Sequence, residues 1–285
     1  MKRILPFLLV LCILLGGCST AKTNDKLKIT TTVFPAYDFL REIAAGVDAE
    51  LNMLIAPGME VHGFETTLED IALVSSSDLF VCVGGEDDEW VENIPETETK
   101  IVTLSSMVGP CEDDHYWTSP KNAITITEKL CENLCDVDPE NAATYKENTQ
   151  KYIEELKKLD SGFAETVKNG KTNTVVFAER FPFYHMANDY GLEYHSAFEG
   201  CSTETEAGIK VINQLIETIE KENISVVFTI EFSDNTVADR ISSETGAQVL
   251  LMHSCHNVTE EEFESGETYL SLMTKNLENL KIALG

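Results

Sequence analysis

Apolar positions along this chain follow two alternating rhythms. Short runs rich in β-branched residues at 27–33 (LKITTTV), 51–55, 79–83, 174–178 (TVVFA), 192–197, 226–230 and 249–252 read as strands. Between them, apolar residues recur at three-or-four spacing over 36–45, 68–74, 122–135, 183–190, 204–222, 235–245 and 268–284, which predicts helices. Strands that alternate with helices predict an α/β fold with parallel sheets covered on both faces. One helical stretch is longer than the rest. It opens at Asp138-Pro139-Glu140, with a cap and early acids, and carries Tyr145, Tyr152, Leu156, Leu159, Phe163 and Val167 to a stop at Asn169-Gly170. About thirty helical residues span roughly 45 Å, more than one small lobe. The expected architecture is therefore two similar α/β lobes, 27–137 and 171–285, joined by one long rigid helix over 138–170.

The residues before the first strand follow a different logic. Lys2 and Arg3 precede an apolar run over 4–15, and Leu15-Gly16-Gly17-Cys18 follows. The run is too short for a membrane span, which needs about twenty residues, and suits a secretory signal. Small residues before a cysteine resemble a lipobox. The expectation is a signal peptide over 1–17, lipidation of Cys18, a tether over 18–26, and a protein lipid-anchored at the extracytoplasmic face of the cell membrane. Cysteines in such a setting meet oxidising surroundings. Cys201 and Cys255 are the expected disulfide, and Cys131 and Cys135, one helical turn apart, are read as packing residues.

Composition narrows the function. The chain of 285 residues has 49 acidic and 21 basic side chains, a net charge of −28. That leaves little from which to build a phosphate-binding face, so nucleic acid is not an expected partner. There is no GxSxG, no phosphate-binding P-loop and no GxGxxG after a strand, and the chain is not read as an enzyme. The acidic segment 86–114 reads as a solvated loop.

The six histidines are His62, His115, His185, His195, His253 and His256. No pair has HExxH or zinc-finger spacing. Their places are more informative. His62 lies in the loop after the second strand, beyond Pro57-Gly58; His115 precedes Tyr116-Trp117; His253 and His256 follow the last strand. Ligands of parallel sheets bind beyond the carboxyl ends of strands, where these residues stand. Neutral imidazoles there suit zinc, and less selectively manganese, iron or nickel, with neighbouring carboxylates orienting the rings.

Several segments in order carry a resemblance: Thr32-Val33-Phe34-Pro35-Ala36-Tyr37-Asp38-Phe39; Pro57-Gly58-Met59-Glu60-Val61-His62-Gly63-Phe64-Glu65; His115-Tyr116-Trp117-Thr118-Ser119-Pro120; Asp138-Pro139-Glu140-Asn141; Asp189-Tyr190-Gly191-Leu192; and Glu244-Thr245-Gly246-Ala247. The chain resembles the cluster A-I metal-binding lipoproteins, the solute-binding proteins of bacterial zinc and manganese ABC importers. The resemblance implies two α/β lobes bridged by a long helix and a metal held between them by four segments. It assigns His62 to the first ligand position and His115 to the second, and places His253 roughly where the family commonly has an aspartate. Histidine there favours Zn²⁺ over the alternative, Mn²⁺. The usual third-ligand position is Arg180, which stays protonated and cannot bind a metal. Glu179 next to it is the expected substitute; His185, His256 or a water are the alternatives, and Arg180 would then pair with Glu206.

The implied function is capture of a divalent ion by a monomeric, lipid-anchored receptor and its delivery to an ABC permease. Two rival readings remain at this level. One is an adhesin-type surface lipoprotein with a macromolecular partner. The other is a metal-dependent extracytoplasmic hydrolase with Glu179 or Glu231 as its base.

Overall fold

Strand β1, Leu27–Thr31, ends where Pro35 fixes the first turn of helix α1, Phe34–Ile43. Strand β2, Ala49–Met53, is followed by a long loop. Helix α2, Leu68–Ser75, then starts at a reciprocal cap in which the Thr67 side chain accepts the Asp70 amide and Asp70 accepts the Thr67 amide. Strands β3, Leu79–Cys82, and β4, Lys100–Thr103, helix α3, Leu104–Val108, and helix α4, Pro120–Val137, complete the first lobe. The four strands form one parallel sheet in the order β2-β1-β3-β4. The computed structural model describes residues 26–109, 111, 113–198 and 208–285.

The second lobe repeats the plan. Its elements are β5, Thr174–Phe177; α6, Tyr184–Tyr190; β6, Glu193–Ser196; α7, Ile209–Glu222; β7, Val226–Thr229; α8, Thr236–Thr245; and β8, Gln248–Leu251. The strand order is β6-β5-β7-β8, again all parallel. Helices α9, Glu260–Ser265, and α10, Tyr269–Leu284, close the chain. In both sheets the chain reverses direction of winding beside the first strand, which opens a crevice at the strands' carboxyl ends.

The joining helix α5, Ala142–Asn169, follows a short 3₁₀ turn at Pro139–Asn141. Its 28 residues span about 42 Å. It packs on α1 and α4 of the first lobe and on α10 of the second. Tyr145, Leu156 and Phe163 bury its apolar stripe in a core that runs continuously from Ile29 and Phe39 to Phe177, Phe228 and Leu280. Gly162 is where α5 meets α10 most closely: a Cβ there would stand 2.6 Å from Leu277 Cδ2. No helix among the described residues is long and apolar enough to cross a membrane.

Asp38 fastens α10 to α1. Its carboxylate is fully buried, accepts the Tyr269 amide at 2.8 Å, and is paired with Arg41. Burial outweighs the Arg41 charge and raises its pKa to about 6. Asp38→Ala leaves the amide orphaned and the guanidinium unpaired, and is expected to lower the unfolding free energy by about 2 kcal/mol. The check is urea unfolding, with a fall in midpoint at unchanged slope.

The reading of 86–114 as a solvated loop is corrected. The segment carries a 3₁₀ stretch at Glu86–Asn93, then β4 and α3. Asp88 is buried, its carboxylate accepting the amides of Val83 and Gly84 at 2.7 and 2.9 Å. Charge density hides a short edge strand such as KIVT, which needs only half its surface covered. The leader 1–17 with Cys18, the Cys201 half of the expected disulfide, and the Glu206 partner of Arg180 lie outside the described residues. Cys255 is a free, buried thiol.

Candidate metal centre

The loops beyond β2, β5, β7 and β8, with the segment entering α4, converge on one cleft between the sheets. It is lined by His62, His115, His256, Glu179, Arg180 and Glu231, among others, and has a volume of about 90 Å³.

Three of these side chains gather into one cluster. His62, His115 and His256 each offer a ring nitrogen, and these nitrogens all lie within 4.8 Å of one another. Ring centroids are 5.7 Å apart for His62 and His115, 4.9 Å for His62 and His256, and 4.8 Å for His115 and His256. In a tetrahedral zinc site, with bonds of about 2.0–2.1 Å, adjacent nitrogens stand roughly 3.4 Å apart. Shifts of about an ångström would therefore draw all three onto one ion.

Each ring has an orienting partner or a tight seat. His62 Nδ1 meets Asp87 Oδ2 at 2.9 Å, and His115 Nδ1 meets Asp113 Oδ1 at 3.3 Å. Both contacts engage Nδ1, the arrangement by which carboxylates fix the tautomer of a ligating histidine. Burial pushes the pKa of Asp113 up, but hydrogen bonds and charge from His115, with a smaller part from the charge of His185, bring the net below the usual carboxylate range. His256 packs edge-on to both other rings and at 5.0 Å from Trp117. Burial first, then the charges of His115, His62 and Arg180, holds it well below ordinary imidazole values, so it stays a neutral donor.

The loop that presents His256 is tied to the first lobe although it follows β8. Trp117 Nε1 donates to the Ser254 carbonyl at 2.8 Å. Asn257 Nδ2 donates to the carbonyls of Ala56 and Met59 at 2.8 and 2.9 Å, and the Gly58 amide donates to the Val258 carbonyl at 2.7 Å. On its other side Ser254 is gripped by Glu231, through its amide at 2.7 Å and through its hydroxyl. These braces were not legible as functional residues; each is an ordinary polar side chain whose partner is remote in sequence.

The structure does not bring all the expected residues together. His62 and His115 meet. His253, placed as a ligand by position after the last strand, is corrected: its ring points away into the protein, and His256 takes the place in the cluster. His253 is buried, accepts the Cys255 amide on Nδ1 at 2.9 Å, and turns Nε2 toward Glu262 Oε2 at 3.6 Å. Burial disfavours its charge, but Glu231 and Glu262 on either side outweigh that and raise its pKa. The cause of the exchange is backbone: Cys255 has φ +62°, which reverses the chain between the two histidines. Glu179 lines the cleft but is not in the imidazole cluster. Its carboxylate accepts the Ser233 hydroxyl and is raised in pKa by burial. His185 is held by the Asp113 carbonyl at 2.8 Å and packs on Tyr116.

Fold and site together define a two-lobed α/β protein with three imidazoles gathered in the cleft between its lobes. The sequence pattern of the family described as "ZnuA: Zinc-uptake complex component A periplasmic" matches residues 29–283, and the chain belongs to that family. It is similar to the zinc-binding lipoprotein AdcA of Streptococcus pneumoniae, with 31% identity over 99% of this chain and 61% of AdcA. It is also similar to the high-affinity zinc uptake system protein ZnuA of Bacillus subtilis, with 26% identity over 98% of this chain and 96% of that one. The Zn(II)-bound ZnuA-like domain of S. pneumoniae AdcA superposes with a TM-score of 0.80 at 28% identity, over 91% of this chain and 99% of that domain. The chain spans about three fifths of the length of the AdcA relative.

Proposed function

We propose that this protein captures Zn²⁺ outside the cytoplasmic membrane, anchored by lipid on Cys18, and delivers it as a monomer to the permease of an ABC importer. The reading rests on one observation: three imidazole nitrogens within 4.8 Å of one another in the cleft between two lobes. Three neutral nitrogen donors favour Zn²⁺ over Mn²⁺, which prefers carboxylate and water oxygens. His62, His115 and His256 are the proposed ligands.

His62 and His115 stand on the first lobe, whereas the loop of His256 is held by both lobes, through Trp117 and Asn257 on one side and through Glu231 on the other. A shift of the second lobe would therefore move His256 against the other two rings, together with the wall that carries Glu179 and Arg180. We read this as the route of release: with one imidazole drawn off, the ion becomes open to competing ligands of the permease.

The test is metal analysis of protein stripped with a chelator, reloaded with equimolar Zn²⁺ and Mn²⁺ together, and desalted. The expected result is one zinc per chain with little manganese. Retention of neither metal, or of manganese in preference, would count against the reading.

A further inference from the structure

The fourth side of the imidazole cluster has a feature that ion capture by three histidines does not use. Arg180 lines the same cleft as His62, His115 and His256. Its side chain is about three-quarters buried, at 26% exposure, yet it makes no hydrogen bond among the described residues. Its nearest carboxylate, Glu60, is 3.9 Å away and more than half exposed. A guanidinium carries five N–H donors in a planar fork, and leaving them without acceptors in a partly dry site is costly. The neighbouring acid gives it a charge nearby but no bond: Glu179 feels the guanidinium, yet its carboxylate is turned to the Ser233 hydroxyl.

The donor set poses the complementary problem. Three neutral imidazoles leave Zn²⁺ with its full double charge and one tetrahedral position unfilled. The cleft of about 90 Å³ is several times what a single water needs.

Resting on the three-histidine reading above, we propose that the site takes its metal together with a small planar oxyanion of the carboxylate or bicarbonate class. One oxygen fills the fourth position on the ion, and the others accept hydrogen bonds from Arg180. The fork matches a planar carboxylate in two parallel bonds, a geometry that lysine does not offer. The metal and Arg180 then each supply the charge that the other's ligand needs, so anion and ion bind cooperatively. Arg180 becomes a specificity residue for the form in which zinc is held. Loss of the anion would loosen the metal.

The test is zinc affinity by chelator competition at constant pH and ionic strength, in perchlorate alone and with added bicarbonate, acetate or phosphate. Wild-type protein is expected to bind Zn²⁺ about tenfold more tightly with bicarbonate or acetate than with perchlorate. The two arms separate an inorganic source of the anion from an organic acid, and phosphate reports whether a tetrahedral anion fits as well. Arg180→Gln is expected to abolish the increment, so that its zinc affinity is the same in perchlorate as in bicarbonate or acetate. Arg180→Lys keeps the charge without the fork and is expected to lose most of the increment; it carries the test if the glutamine variant misfolds. Zinc affinity that is tight and equal in all buffers, or an increment that survives Arg180→Gln, would overturn the anion. Failure to bind zinc in any buffer would instead sink the three-histidine site.

Discussion

His256→Ala lowers zinc affinity by about a hundred-fold or more, whereas His253→Ala leaves it within about tenfold of wild type. The first figure follows from the scale of zinc coordination: about 10–16 kcal/mol shared over four ligands leaves about 2.5–4 kcal/mol for each, roughly 60- to 700-fold. His256 reaches the other two rings, at 4.8 and 4.9 Å between centroids. The second figure follows from where His253 points. Its nitrogens face the Cys255 amide, Glu231 and Glu262, and none faces the cluster. Removing it strips an acceptor from a buried amide and leaves the two carboxylates near an empty space, so its cost appears in stability. Circular dichroism of both variants, with zinc affinity by chelator competition, separates the two effects. If His253→Ala lost zinc as His62→Ala does, while His256→Ala behaved as wild type, the geometric assignment would be wrong.

That pair of histidines marks the boundary of what the sequence could disclose. The rule that ligands gather beyond the carboxyl ends of parallel strands led to the loop that gives the cluster its third ring, since both residues follow β8. It could not say which ring turns inward. The answer depends on a left-handed backbone at Cys255, and nothing in Ser254-Cys255-His256 advertises it as a glycine would. His62 and His115 were easier, because each stands alone in its loop. Glu179 was chosen for adjacency to Arg180, and adjacency does not reveal that Ser233 holds its carboxylate.

The fold was legible where periodicity was long or burial complete. Helix α5 shows its stripe over eight turns, and β3, β5 and β7 are buried at every position, so they read as unbroken apolar runs. Strand β4 was missed because it is an edge strand, half-buried at each position and embedded among acids. Edge strands need fewer apolar residues, so pattern weakens where the sheet ends.

Acid is expected to weaken zinc binding, by at most about 10-fold per pH unit for each imidazole that must lose a proton to bind. Two competing imidazoles give a limiting slope of two in log affinity against pH, and three give a slope of three. The smaller slope is expected, because burial and the charges of His115, His62 and Arg180 suppress protonation of His256. Zinc displaces no proton from a ring that is already neutral, so affinity falls as two protons compete. Stability of the zinc-free fold is a poorer readout, because the two histidines of this loop act in opposite senses. His256, depressed in the fold, adds stability that is present above about pH 6.5 and is lost as pH falls below it. His253, raised in the fold, adds stability that is present below about pH 6.5 and is lost as pH rises through its folded value. Their contributions offset each other in a melting curve but not in zinc affinity, where only His256 is a proposed ligand. A limiting slope of two in log affinity against pH, turning to one in His62→Ala, is the expected pattern. A slope of three in the wild type would mean that His256 is protonated in the free protein, and that the buried cluster does not hold it ready for the metal.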